Sequence, residues 1–313
     1  MKAWQFHGTH KPFQRVDLPE PTIEPGKVII DVKAAGLCHS DVGIFEDEKW
    51  LENMVVPVVP GHETAGVISE VADDVTDWKV GDRVAVWPMA ELQGYMVNCA
   101  WAAKSLVSTD ALVAIPEGVS FEAAAAATDA GMTSSGAVLG TGEVKAGMKV
   151  GIIGFGGLGQ IGARLAVLNG AELYVAEVNE AVWPAAEEAG AVKVAKSIKE
   201  FKDDELDVIV DFAGFGTTTA EALETVKFNG RVVQVGMGKL EATIDTYALI
   251  MSKAQLHGSM GGTKDDIAEV MKWIASGDIT PKLTKIGFED IADGVDRLKR
   301  GEVQGRLVAM VEE

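Results

Sequence analysis

The sequence predicts an α/β protein built around two kinds of sheet, and three observations carry that reading. About the first 120 residues run as short strands broken by turns, with no long helix. From Met148, continuous apolar runs alternate with helical stretches, the pattern of a parallel sheet. Within that second pattern, "IIGFGGLGQIGARLA" places Gly154, Gly156 and Gly159 in a Gly-x-Gly-x-x-Gly that follows a strand and opens a helix.

In chain order, the early strands are "KVIIDVKAAG" from Lys27, "AGVISEVADDV" from Ala65, "GDRVAVW" from Gly81 and "ALVAIPEGVS" from Ala111. Short β-branched runs between Gly, Pro and Asp turns suit a β-rich, barrel-like domain. "FEAAAAATDAGMTSSGAVLG" from Phe121 then switches to alanine-rich helix. The later strands are "KVGIIGF", "AELYVAEV", "ELDVIVDFAG" and "GRVVQVGM", apolar throughout, as strands buried on both faces must be. Small and apolar residues at helical spacing in "GLGQIGARLAVLNG" link the first two of these. Beyond His257 come helices in "DDIAEVMKWIASG" and "FEDIADGVDRLKRG" and a last strand in "GRLVAMV". The acidic run "EFKDDELD" reads as a solvated face.

At 313 residues and 47% hydrophobic content the chain can bury a large core, and two domains are expected. Its 47 acidic against 28 basic residues give a net charge of −19, which repels phosphate backbones and anionic lipid and argues against a nucleic-acid partner. No stretch matches the roughly 18 apolar residues of a membrane span, and "MKAWQFHGTHKPF" lacks a signal-peptide core. The expected location is the cytoplasm. Cys38 and Cys99 are the only cysteines, so they are read as two free thiols rather than a disulfide framework.

The glycine motif, with Gly157 and Leu158 inside it, is the candidate cofactor loop. Glycines there permit a tight turn, close approach of a pyrophosphate to the backbone, and close packing of helix on strand, while the helix N-terminus attracts phosphate. A bare strand–turn–helix is the bland alternative. Glu177 ends the next strand, where a carboxylate can hold both ribose hydroxyls of NAD and repel the 2′-phosphate of NADP. Val178, Asn179 and Glu180, which follow, offer no cation to a phosphate. NAD is therefore expected, in a Rossmann doubly wound parallel-sheet domain; a solvated strand end is the plain alternative for Glu177.

"AAGLCHSDVG" from Ala34 sets Cys38 directly beside His39. Adjacent side chains in extended backbone point to opposite faces, so these two do not grip one ion together. Two core residues, or parts of a site completed from elsewhere in the chain, both remain open.

"GLCHSD", "PVVPGHETAGVI", "VGDRVAV", "DAGMTSSGAV" and "GFGGLG", in that order, resemble the zinc-dependent medium-chain alcohol dehydrogenases over essentially the whole chain. The resemblance implies a GroES-like β-barrel catalytic domain at 1–130, an NAD-binding Rossmann domain at 131–259, and a return to the catalytic domain at 260–313. It makes Cys38, His62 and Asp129 the ligands of one catalytic Zn2+ per chain, Asp129 standing where many members carry cysteine. One thiolate, one imidazole and one carboxylate neutralise Zn2+ as well as two thiolates and an imidazole do.

It makes Glu63 a transient extra ligand, Ser40 the hydroxyl that takes the alcohol proton, and Asp41 the carboxylate behind the zinc histidine. It turns His39 and Arg306 toward the cofactor pyrophosphate, and Trp50 and Trp87 are pocket candidates. The implied substrate is a small to medium alcohol or ketone, with secondary alcohols favoured, and the implied assembly is a homo-oligomer, dimer or tetramer.

Two features depart from the pattern. The histidine that in several members continues the proton relay has no counterpart, Gly43 standing near its place. The lobe with four cysteines for a structural zinc is missing, since "WPMAELQGYMVNCAWAAKSLV" holds Cys99 alone, which is read as structural or incidental. A polyol or acyloin dehydrogenase of the same superfamily, a zinc-free quinone or enone reductase, and a non-catalytic dinucleotide-binding protein are the competing readings.

Overall fold

A computed structural model describes residues 1–311, and it divides into two compact units. One comprises Met1–Asp129 together with the chain from Thr263 onward, and the other Ala130–Gly262. The domain breaks read from the sequence stood at 130 and 259.

The first unit is organised by the strand Lys27–Leu37, whose alternating Val28, Ile30 and Val32 face a core with Ile68, Val84 and Trp101. Two register shifts, at Ile29/Ile30 and Val32/Ala34, bend this strand. The bend lets it pair Lys104–Ser108 at its start and Arg306–Met310 at its end, with Glu63–Val71 along its other edge. All three pairings are antiparallel. The sheet continues through Arg83–Val86 and Leu112–Ala114 on one side and Leu283–Gly287 on the other, seven strands in all. The helix Ile291–Lys299 buries Ile291, Gly294, Val295 and Leu298, one apolar stripe at 3.6-residue spacing, in the same core.

The second unit holds six parallel strands in the order Ala191–Ala195, Glu172–Ala176, Lys149–Ile153, Val208–Asp211, Arg231–Gln234, Gln255–Gly258. Counted along the chain this is 3-2-1-4-5-6, the doubly wound dinucleotide-binding topology. Its central strands are buried through Val150, Ile152, Val175, Val210 and Val232, as their apolar runs require. The strand order reverses between Lys149–Ile153 and Val208–Asp211, and the glycine loop leaves the end of the first of these. Asp211 is fully buried there, accepting from Ala213 N, Gly214 N, Thr218 Oγ1 and Thr219 Oγ1, and so fixes the turn beside that loop.

Candidate active site

Strand register assembles a cluster in the first unit. Lys27–Leu37 ends just before Cys38, which caps the helix His39–Glu46. Asp41 Oδ2 accepts the Cys38 N–H at 2.8 Å while the Asp41 N–H donates back to the Cys38 carbonyl at 3.0 Å, which fixes the turn that carries the thiol. Across one edge Gly36 pairs with Glu63, which brings His62 alongside. Across the other Leu37 pairs with Leu307, which brings Arg306 alongside. Asp129 arrives on a π-helical turn, Ala127–Gly131, where the alanine-rich helix Phe121–Ala126 loosens; such turns recur at functional sites. Gly36 is obligatory: a Cβ there would lie 2.2 Å from Glu63 Oε2.

One ligand atom from each of Cys38, His62, Glu63 and Asp129 lies within 4.8 Å of the other three. His62 Nε2 is 3.6 Å from Asp129 Oδ2, and its Nδ1 is 3.7 Å from Asp41 Oδ1. Arg306 donates from Nε to Glu63 Oε2 at 2.9 Å, and from Nη2 to both Glu63 and Asp129.

The electrostatics follow from burial. Asp41 is 1%, Glu63 0%, His62 6% and Arg306 4% exposed. Burial pushes the Glu63 carboxyl up to about 7 against the pull of Arg306, and raises Asp41 as well. Burial would also raise Asp129, but the His62 hydrogen bond and the Arg306 charge hold it well below the usual carboxylate range. Burial disfavours charge on His62 too, yet Tyr95, Asp129, Cys38 and Asp41 together raise its imidazole well above its ordinary value. This is a pocket that favours positive charge. Three carboxylates face one guanidinium, and a buried unpaired carboxylate costs several kcal/mol.

The structure thus brings Cys38, His62, Glu63, Asp129 and Asp41 together, with Ser40 in the first turn of the same helix as Asp41. It places Arg306 differently from the expected phosphate contact: the guanidinium is buried and engaged by Glu63 and Asp129. His39 is exposed at the helix start. Trp50 packs over Gly43, where a Cβ would lie 2.7 Å from its ring, so a relay histidine has no room at that position. Cys99 is buried with its thiol 3.2 Å from Thr64 Oγ1. Sequence reasoning missed Tyr95, whose hydroxyl donates to Ser40 Oγ at 3.1 Å and stands 3.4 Å from His62 Nδ1.

In the second unit, Gly154, Gly156, Gly157, Leu158 and Gly159 form the loop between Lys149–Ile153 and the helix Gly159–Leu168. Gly154 has φ +86°, and a Cβ on Gly159 would lie 1.8 Å from the Gly154 carbonyl oxygen. Gly156 differs: it is exposed, and a Cβ there would meet nothing within 4 Å. Glu177 Oε2 accepts from Phe155 N and Oε1 from Asn179 N, both at 2.7 Å. Gly154, Glu177, Val178, Ser197 and Thr218 line one pocket.

Two family profiles match the chain: "Alcohol dehydrogenase GroES-like domain" over residues 24–161 and "Zinc-binding dehydrogenase" over 157–276. An alcohol dehydrogenase of Geobacillus stearothermophilus is 31% identical over 340 aligned positions, with 100% of each chain covered. The chain belongs to the zinc-binding alcohol dehydrogenase family. Among solved structures, the alcohol dehydrogenase of the archaeon Aeropyrum pernix superposes with a TM-score of 0.92 at 27% identity, covering 99% of this chain and 100% of that one. Acetophenone reductase of Geotrichum candidum, in complex with NAD, gives 0.89 at 26% identity, covering 99% and 97%.

For an alcohol dehydrogenase of this family, the residues present fit both groups that the fold implies. Sulfur, nitrogen and oxygen donors converge with an excess of buried negative charge, a donor set suited to zinc and not to the all-oxygen preference of Mg2+ or Ca2+. Gly156 leaves open backbone at the helix entrance, with no described atom within 4 Å of where a Cβ would stand, as an approaching pyrophosphate needs.

Proposed function

We propose that the protein is a zinc- and NAD-dependent dehydrogenase of small to medium alcohols, secondary alcohols favoured, which reduces ketones or aldehydes in reverse. The observation that carries this reading is the convergence of one thiol, one imidazole and two carboxylates in the first unit of a chain from this family. The named relatives, alcohol dehydrogenases and an acetophenone reductase, support the alcohol–ketone couple.

Cys38, His62 and Asp129 would hold the zinc, with Glu63 as a fourth donor within reach. Zinc held there would supply Lewis acidity at the substrate oxygen, and NAD held at the glycine loop would supply the hydride acceptor or donor. Ser40 would accept the alcohol proton at the substrate oxygen as it passes its own proton on to the cofactor ribose hydroxyl and water; in reduction the flow reverses and the Ser40 proton goes to the substrate oxygen. Arg306 bridges Glu63 and Asp129 and offsets one of their two charges, which lowers the cost of burying them and leaves net negative charge for a cation.

Glu177 would bind the ribose. Each carboxylate oxygen accepts one backbone N–H, which fixes its direction and leaves lone pairs for the two ribose hydroxyls. Lys196, which lines the same pocket, is held in an exposed pair with Glu180 at 2.5 Å, so the cofactor reading rests on Glu177. Glu177→Ala is expected to raise the NADP-to-NAD ratio of kcat/KM by ~10-fold. A wild-type enzyme that already prefers NADP would refute the cofactor assignment.

A homo-oligomer is supported by exposed Tyr247, Ile250 and Met251 on the helix Thr246–Ser252 and by Leu256 on the edge strand Gln255–Gly258. Light scattering that returned a monomer mass would rule it out. The function itself is tested by an NAD-coupled screen over primary, secondary and cyclic alcohols and diols, with zinc quantified in the same samples. Turnover of alcohols with about one zinc per chain supports it; a fully active, metal-free protein would sink it.

A further inference from the structure

Tyr95 lies in the turn-rich stretch between Arg83–Val86 and Lys104–Ser108. Its backbone is held by Tyr95 N–H to Leu92 O at 2.9 Å and by Val55 N–H to Tyr95 O at 3.0 Å. Gly94 lets the loop press on the backbone under the site: a Cβ there would stand 3.0 Å from Gly61 N and 3.1 Å from His62 N. The tyrosine ring therefore tilts over the imidazole, centroids 5.4 Å apart at 32°.

The hydroxyl has two polar neighbours, Ser40 Oγ at 3.1 Å and His62 Nδ1 at 3.4 Å. Asp41 Oδ1, the expected partner of that nitrogen, stands 3.7 Å away, beyond hydrogen-bond length, while Asp41 Oδ2 accepts the Cys38 N–H.

We propose that Tyr95 is a positioning residue that holds the Ser40 hydroxyl for proton transfer at the substrate oxygen. This rests on the dehydrogenase reading above. When Tyr95 donates to Ser40, one Ser40 lone pair is occupied, and the serine proton is free to point at the oxygen where negative charge develops. A hydroxyl that accepts a hydrogen bond is also the better donor, because the bonds in a chain polarise one another. In the tautomer with a proton on Nδ1, His62 donates to Tyr95, so all the donors in the chain run toward the substrate, and Nε2 remains available on the side of Asp129. Gly43 stands near the place where several family members carry the histidine that continues the proton relay.

The test is a double-mutant cycle of Tyr95→Phe with Ser40→Ala, reading kcat, KM, zinc per chain and the thermal midpoint. Tyr95→Phe keeps the ring and should lower kcat ~10-fold, with KM within about 2-fold and zinc and thermal midpoint as in the wild type. In the Ser40→Ala background the same change should cost less than about 2-fold, because the group it acts through is gone. Equal losses in both backgrounds, loss of zinc in Tyr95→Phe, or an unchanged kcat in the single variant would each overturn the proposal. If Ser40→Ala alone leaves activity intact, the role of Ser40 in the dehydrogenase reading falls as well. If it is crippling while Tyr95→Phe is silent, only the Tyr95 proposal falls.

Discussion

Cys38→Ala is expected to lower bound zinc from about one per chain to below about a tenth, and alcohol oxidation by at least ~10^3-fold. The thiol is the one sulfur in the cluster and sits with His62, Glu63 and Asp129 inside 4.8 Å. Its removal leaves the Cys38–Asp41 backbone box intact, so folding should survive and the loss should be chemical. Cys99→Ala is the control. That thiol is buried on Thr64 and pushed up by burial, so the variant should keep zinc and turnover and lose only about 1 kcal/mol of stability. Zinc analysis and initial rates on the two variants decide it, and equal zinc in both would remove Cys38 from the site.

The second large effect separates two glycines of one motif. Gly159→Ala drives a Cβ to 1.8 Å from the Gly154 carbonyl oxygen, so the helix and the loop cannot both keep their places. The variant should lose several degrees of thermal midpoint and NAD binding together. Gly156→Ala meets nothing within 4 Å and has no left-handed φ, so its midpoint should stay within about 2 °C of wild type. Its NAD affinity should nevertheless fall ~10-fold or more, since the new methyl lies where the pyrophosphate must approach. Melting curves with and without NAD check both. Unchanged NAD affinity in Gly156→Ala would show that the cofactor lies elsewhere.

Much of this was legible in the sequence because the motifs encode backbone necessity. The glycine loop and the four apolar runs of the parallel sheet announced themselves, since buried parallel strands tolerate little else. The strands Ala191–Ala195 and Gln255–Gly258 did not, because they lie at the sheet edges, are largely half-buried or exposed, and carry polar residues among the apolar ones. The hairpin Lys2–Gln5 with Gln14–Asp17 was hidden for the same reason.

Within the site, Cys38, His62 and Asp129 sit in short motifs that can be matched by eye. The resemblance turned Arg306 toward the cofactor pyrophosphate; its carboxylate partners were not legible, because they depend on the pairing of Leu307 with Leu37, a register between residues far apart in the chain. Tyr95 carried no signal at all: it is one tyrosine of three, in a loop with no periodicity, and its role depends on a glycine that lets the loop touch His62.

One sulfur, from Cys38, is expected to hold the metal together with imidazole and carboxylate. X-ray absorption at the zinc edge of the purified protein tests it most directly, run beside Asp129→Cys. The expected result is one Zn–S distance of ~2.3 Å with the remaining ligands nitrogen or oxygen at ~2.0–2.2 Å, rising to two sulfurs in Asp129→Cys. No sulfur in the wild-type protein, or no second sulfur in the zinc-loaded variant, would contradict it.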